Sequence, residues 1–237
     1  MNNEELIKKY VKEEDQQDAF KKLKNGIPVQ YIIGNVDFLN CNFLVNNSVL
    51  IPRFETELLV EKTINYIKSF FNKKVNIIDL GTGSGCIAIT LFKETNSSVT
   101  GVDISRDAIE VAKENNIRNK SDVFFYIHDI LNKPTGLYDV LISNPPYIKV
   151  TEEVEEIVLN NEPHIALFAS DEGLLFYKSI LDYSKGLLQK RNIIAFEISP
   201  SIKESLEAYL LTIYPHSKYS FECDLTGKVR YLFIFNE

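Results

Sequence analysis

The chain has 237 residues, 45% hydrophobic and 25% charged, enough for one large domain with a filled core, and it resembles neither a disordered nor a repeat protein. Its 26 basic and 33 acidic residues leave a formal charge of −7, which argues against binding nucleic acid through the overall field and suits a small molecule or a basic protein partner. No run reaches the roughly 18 apolar residues of a membrane span, and Met1 to Lys24 has no apolar stretch like that of a signal peptide. Cys41, Cys86 and Cys223, like His128, His164 and His216, are too scattered for a zinc site; buried free thiols in a reducing cytoplasm, no metal and no membrane are expected.

In chain order, residues 4–24 suit one or two short amphipathic helices. Leu6, Ile7, Tyr10 and Val11 share a face, and Ala19, Phe20 and Leu23 continue it. Asn25-Gly26 and Pro28 stop this segment. Gln30–Gly34 leads into Val36-Asp37-Phe38 and Asn42–Val45, a β-hairpin turning at Leu39-Asn40. Ile51-Pro52-Arg53 then opens a helix with Val60, Ile64, Ile67 and Phe71 on one face and Glu55 and Glu57 in its first turn.

Strands and helices alternate from there. Strands are expected at Val75–Leu80, Val99–Val102, Val123–Ile127, Tyr138–Ile142 and Ile193–Ile198. Helices are expected at Cys86–Phe92, from an N-cap at Ser105 to Asn115, at Leu174–Leu188 and at Ile202–Tyr214. Tyr219–Glu222 and Val229–Phe235 form an antiparallel pair around Leu225-Thr226-Gly227. The acidic run Glu152–Glu156 reads as a solvated helix face. The fold class is α/β: a mostly parallel sheet with an antiparallel C-terminal strand pair, preceded by a short helical segment (1–27) and a β-hairpin linker (28–52), with the main domain at 53–237.

In such sheets ligands bind beyond the carboxyl ends of the strands, where the strand order reverses. The first strand ends in Asp79-Leu80-Gly81-Thr82-Gly83-Ser84-Gly85, spaced G-x-G-x-G with Cys86 where a dinucleotide fingerprint needs glycine. Such a loop suits a ligand without phosphates whose zwitterionic tail lies on the glycine turn. The second strand ends in Asp103, placed to accept both hydroxyls of a ribose, with Ile104 after it. The third ends in Asp129-Ile130, an acid for an adenine amino group and an apolar wall for its face. The fourth ends in Ser143-Asn144-Pro145-Pro146-Tyr147. Two prolines cannot continue a ladder, so a stiff turn presents one amide, one phenol and free carbonyls to a planar group.

Tail, ribose, base and planar acceptor at four strand ends resemble a class I (Rossmann-like) S-adenosylmethionine-dependent methyltransferase, and Asn144–Tyr147 resembles the N-P-P-Y of enzymes that methylate planar nitrogens. Further stretches are similar to the release-factor glutamine methyltransferases (the PrmC/HemK family): Pro28-x-Gln30-Tyr31-Ile32-x-Gly34, Phe38, Leu50–Glu57, Glu162-Pro163, Ala166-Leu167, Gly173-Leu174, Glu197 and Asp224–Lys228 with Arg230. The resemblance implies methyl transfer from S-adenosyl-L-methionine, leaving S-adenosyl-L-homocysteine, to the glutamine amide of the Gly-Gly-Gln loop of class 1 peptide chain release factors. The alternative is an amino methyltransferase for N6 of adenine or N2 of guanine in nucleic acid.

On this reading Asp79, Gly81, Thr82, Gly83, Ser84, Gly85, Asp103, Ile104, Asp129, Ile130 and Asn144 hold the cofactor. Asn144, Pro145, Pro146 and Tyr147 hold the glutamine, with Asn144, Pro145 and Tyr147 acting in catalysis. Arg53, Glu55 and Glu57 cover the cofactor edge or only cluster at a helix start, and Glu197 lines the substrate side or only caps the sheet. A cytoplasmic monomer with a release factor partner and no stable nucleic acid is expected. Phe54 replaces a proline common in the family, Ile130 an aromatic residue of some relatives, and the segment before Pro28 is shorter than the family's helical bundle.

Overall fold

In a computed structural model, which describes residues 2–237, a capping box starts α1 (Asn3–Tyr10): Asn2 Oδ1 accepts the Glu5 N–H, and Glu5 takes the N–H of Asn2. Then come α2 (Gln16–Lys24) and α3 (Val29–Ile33). Ile7, Ala19 and Val29 bury against one another in a small cluster of their own, while Tyr10 is exposed despite its place in the sequence pattern. The lead-in to the hairpin at Gln30–Gly34, given no conformation of its own by the sequence, is the short helix α3. Pro28 ahead of its first turn and Gly34 at φ 75° after its last fit a short helix, and these end signals override the β-branched residues between them. The hairpin forms as expected, β1 (Asn35–Phe38) pairing antiparallel with β2 (Cys41–Leu44) around Leu39-Asn40.

The main domain runs α4 (Phe54–Phe70), β3 (Asn76–Leu80), α5 (Cys86–Thr95), β4 (Ser98–Asp103), α6 (Arg106–Arg118), β5 (Phe124–Ile127) and β6 (Tyr138–Ser143). Ser105 caps α6, its Oγ accepting the Ala108 N–H at 3.2 Å. Next come β7 (Ile148–Lys149), α7 (Glu156–Asn161) and β8 (Phe168–Ala169), with β7 and β8 forming a two-residue parallel ladder. The chain closes with α8 (Leu175–Ser184), β9 (Leu188–Glu197), α9 (Lys203–Ile213), β10 (Lys218–Cys223) and β11 (Val229–Asn236).

Three further readings are corrected. The helix read to Leu188 stops at Ser184, and Leu188 instead joins the sheet beside Tyr138; the Ser184 hydroxyl turns back onto the Leu181 carbonyl, and Gly186 follows. The acidic run precedes its helix instead of forming its face, since α7 starts only at Glu156. Cys41 and Cys86 are buried free thiols, but Cys223 is exposed at the end of the edge strand β10.

The large sheet has the order β10-β11-β9-β6-β3-β4-β5. The strands from β9 to β5 run parallel, and β11 and β10 add on antiparallel. Alternate residues feed two cores: Ile77, Val140, Ile142 and Ile193 meet α4, α5 and α6, while Ile78, Leu141, Ile194 and Phe196 meet α8 and α9. The chain runs outward through β3, β4 and β5, then returns to the other side of β3 as β6. The order therefore reverses between β3 and β6, whose last residues Leu80 and Ser143 lie side by side in register. No helix of the described residues is long and apolar enough to cross a membrane.

Candidate active site

Every residue of β6 is buried, as a central parallel strand requires, and its end is tied down: the Ser143 hydroxyl donates to the Leu80 carbonyl at 2.6 Å. The two prolines then release the chain from the sheet. Pro145 and Pro146 are buried and Asn144 and Tyr147 partly so. The Tyr147 backbone packs onto Gly173, where a β-carbon would stand 2.6 Å from the Tyr147 oxygen and where φ is +87°; glycine is required there on both counts.

Two adjoining cavities open at this turn, and Asn144, Leu50 and Ala166 line both. The first, about 240 Å³, is walled by Gly81 and Gly83, by Asp103 and Ile104, by Asp129 and Ile130, and by Pro146. Strand ends far apart in sequence thus meet around one space, with Val49 and Leu50 of the linker closing it. The second, about 200 Å³, is lined by Arg53, Asn144, Pro145, Tyr147, Glu155, Val158 and Glu197.

In the first cavity the glycine loop leaves room. A β-carbon on Gly81 would stand in the open space 3.8 Å from Ile130 Cδ1, and one on Gly83 would meet nothing. Asp103 anchors the loop, Oδ2 accepting the Gly83 N–H and Oδ1 the Ser105 N–H, each at 2.9 Å. Asp129 holds its own turn through the Leu131 N–H at 2.9 Å. Asp79 does not line the cavity. It is fully buried, with Oδ2 taking the Thr82 hydroxyl at 2.6 Å and Oδ1 left without a partner. Burial pushes its carboxyl up to about 7, against the Thr82 bond and with the help of the Asp103 charge. Burial also raises Asp103, opposed by its N–H donors. Open space at a glycine loop and a carboxylate at the next strand end fit an adenosine ligand, with Asp79 bracing the loop from behind through Thr82.

At the second cavity three elements meet. The Asn144 Nδ2 donates to Thr56 Oγ1 at 3.3 Å, and the Thr56 hydroxyl donates to Glu197 Oε2 at 2.7 Å. Tyr147 Oη lies 3.5 Å from Glu197 Oε1. Burial pushes the Glu197 carboxyl up to about 7; the Thr56 bond opposes the shift and the Glu55 charge adds to it. Burial and the Glu197 charge raise the Tyr147 phenol. Arg53 pairs with the buried Glu162 at 2.5 Å, whose other oxygen takes the Ile51 N–H, so two motifs distant in sequence lock the linker to the segment after β7.

Of the sequence candidates, Gly81, Gly83, Asp103, Ile104, Asp129, Ile130, Asn144 and Pro146 share the first cavity, and Asn144, Pro145 and Tyr147 the second. Thr82, Ser84 and Gly85 stand behind the wall: Thr82 holds Asp79, the Ser84 carbonyl takes the Asn115 amide at 2.9 Å, and Gly85 faces Phe125, Ala112 and Ile89. Glu57 accepts the Leu39 N–H at 3.3 Å, and Glu55 offers its carbonyl to Tyr231; neither lines a cavity. Arg53 and Glu197 both line the second cavity. Sequence reasoning gave no role to Thr56, which lies within the Leu50–Glu57 stretch but 88 residues from Asn144, or to Val49 and Leu50, which form the roof. No local spacing signals either. Among the described residues no cluster of three His, Cys, Asp or Glu is placed to hold a metal.

The Methyltransferase small domain family matches residues 55–165. A Bacillus cereus protein named release factor glutamine methyltransferase is 39% identical over 231 residues, covering 93% of this chain and 82% of that protein. A Bacillus anthracis protein of the same name is 40% identical over 215 residues, covering 88% and 76%. A Pyrococcus furiosus methyltransferase structure superposes with a TM-score of 0.61 at 16% identity over 93% of this chain and 98% of that one, a likeness of fold.

Proposed function

Because the chain belongs to the release factor glutamine methyltransferase family, we propose that it transfers a methyl group from S-adenosyl-L-methionine to the side-chain amide nitrogen of the glutamine in the Gly-Gly-Gln loop of a class 1 release factor. The observation that carries this reading is the place of Asn144 in the wall shared by the two cavities, with the glycine loop on one side and Pro145 and Tyr147 on the other.

When bound in the first cavity, S-adenosylmethionine supplies a methyl group on a sulfonium, an electrophile that needs no metal and no oxyanion site. Gly81 and Gly83 would let its tail approach the backbone, Asp103 would receive the ribose hydroxyls, and Asp129, Ile130 and Ile104 would bound the adenine. The amide nitrogen of glutamine is a poor nucleophile because its lone pair is delocalised into the carbonyl. The site must therefore take both N–H bonds in fixed directions, so that the lone pair points at the methyl. Asn144 Oδ1 and the Pro145 carbonyl are the two acceptors, and the fixed φ of proline sets the carbonyl direction beforehand. Tyr147 covers the flat face of the amide. The N–CH3 bond forms as the S–CH3 bond breaks, and one amide proton leaves after attack, so most of the acceleration comes from alignment.

The negative charge of the chain suits a basic protein partner and disfavours stable nucleic-acid binding. The enzyme acts as a monomer in the cytoplasm, where its substrate is found. Residues 1–27, 28–52 and 53–237 serve as helical segment, linker and catalytic domain. Labelled S-adenosylmethionine with purified release factor, with its loop Gln→Ala version, and with bulk tRNA and DNA tests the assignment. Label on the unaltered factor alone is expected; label on nucleic acid alone refutes it.

A further inference from the structure

We propose that Thr56 and Glu197 are positioning residues that fix which end of the Asn144 side-chain amide is offered to the acceptor. The inference rests on the function proposed above. An asparagine amide can be turned two ways with nearly the same shape, yet only one of them presents an oxygen to an incoming N–H. Asn144 stands on a turn, and its own strand does not decide between the two.

The decision comes from α4 and β9. Thr56 is 3% exposed and Glu197 2% exposed, so water does not stand in for either partner. A threonine hydroxyl has one hydrogen. With Glu197 ionised, as it is above about pH 7, that hydrogen goes to the carboxylate oxygen at 2.7 Å, a charge-assisted bond stronger than one to a neutral amide. Only the lone pairs of Thr56 Oγ1 are then left for Asn144, so Thr56 accepts from Asn144 and cannot donate to it. The amide end facing Thr56, 3.3 Å from its hydroxyl oxygen, must then be Nδ2. The turned amide would set oxygen against oxygen in a buried place, leaving one of them without a donor. Hydrogens thus run one way, from Asn144 to Thr56 to Glu197, and Asn144 Oδ1 is left as the free acceptor. The three residues sit on three elements joined only by the fold, at sequence separations of 88 and 141.

The test measures kcat, KM for release factor and affinity for S-adenosylhomocysteine in the wild type, Thr56→Val, Thr56→Ser and Glu197→Gln. Valine keeps the shape and removes the relay: kcat is expected to fall about 10- to 100-fold, with cofactor-product affinity within about threefold. Serine restores the hydroxyl, and glutamine still offers Thr56 an oxygen, so both are expected to recover at least about a third of kcat. A Thr56→Val kcat within about twofold of wild type overturns the inference, as does a Thr56→Ser enzyme no better than Thr56→Val. A Glu197→Gln loss as deep as Thr56→Val also overturns it, assigning the carboxylate itself to the chemistry. Should Thr56→Val not fold, Thr56→Ala carries the same expectation. A wild-type enzyme that leaves release factor unlabelled defeats the proposed function instead, a result distinct from all of these.

Discussion

On the proposed function Asn144 carries two duties that a single substitution can separate. Its side chain lines both cavities, but the first is walled mainly by other strand ends. Asn144→Ala should therefore keep affinity for S-adenosylhomocysteine within about tenfold while losing most turnover, since it removes an acceptor needed to align the amide. Calorimetric titration beside a labelled-methyl assay checks both halves, and near-wild-type turnover sinks the role given to Asn144. At this scale the residues legible in the sequence were those whose chemistry is local. Gly81, Asp103, Asp129 and Asn144 each stand at a strand end, and a strand end can be read from a few neighbouring residues. Thr56 was not legible, because its meaning is its bond to Asn144 and Glu197. Thr82, Ser84 and Gly85 show the converse: within one glycine loop, Gly81 and Gly83 face the cavity while these three face the protein behind it.

Among the elements, the pairing of β4 with β5 shapes the loop from the far side. Gly101 and Phe125 are register partners, and the Phe125 ring fills the space above Gly101 and reaches the glycine loop at Gly85. A β-carbon on Gly101 would stand 2.4 Å from Phe125 Cε1 and 2.8 Å from the Thr82 hydroxyl, which itself holds Asp79. Gly101→Ala should thus destabilise the fold by about 1–3 kcal/mol through overpacking. Replacing Phe125 by leucine in the same chain should return part of that loss; denaturant titration of the single and double variants measures it, and an unchanged midpoint for Gly101→Ala contradicts the account. Strong periodicity made the long elements readable: the helix faces of α4 and α6, the buried run of β6 and the hairpin pair at the C-terminus. The short pieces were not readable, because tertiary contacts make them. The strands β7 and β8 are two residues each and exist as each other's partner, and α3 is a helical turn set by Pro28 and Gly34 against β-branched propensity.

The molecule as a whole holds two carboxyls, Asp79 and Glu197, in full burial at the ends of β3 and β9, and both are pushed up to about 7 from ordinary values of 3.8 and 4.5. A raised folded-state value means that the folded chain keeps protons which the unfolded chain releases. The stabilisation is complete below about pH 4 and is lost as pH rises towards and through 7. A tenfold difference in proton affinity corresponds to about 1.4 kcal/mol, so Asp79 alone contributes on the order of 4 kcal/mol across that window. Asp224, held down to about 2 by the Thr226 hydroxyl, two backbone N–H groups and Arg230, acts with the opposite sign but only below its ordinary value of 3.8, outside this range. The net charge of −7 adds general repulsion as more carboxylates ionise, also lowering stability with rising pH. The cofactor-free protein should therefore melt at a lower temperature at pH 8 than at pH 5. Asp79→Asn separates the local cause from the general one: it cannot ionise, and its oxygen can still accept the Thr82 hydroxyl. At pH 8 it should melt roughly 8–16 °C above the wild type, and the gap should narrow as pH falls and close near pH 4. A variant whose melting temperature follows the wild-type slope throughout would place the pH dependence in the surface charge and leave the buried carboxyl without effect.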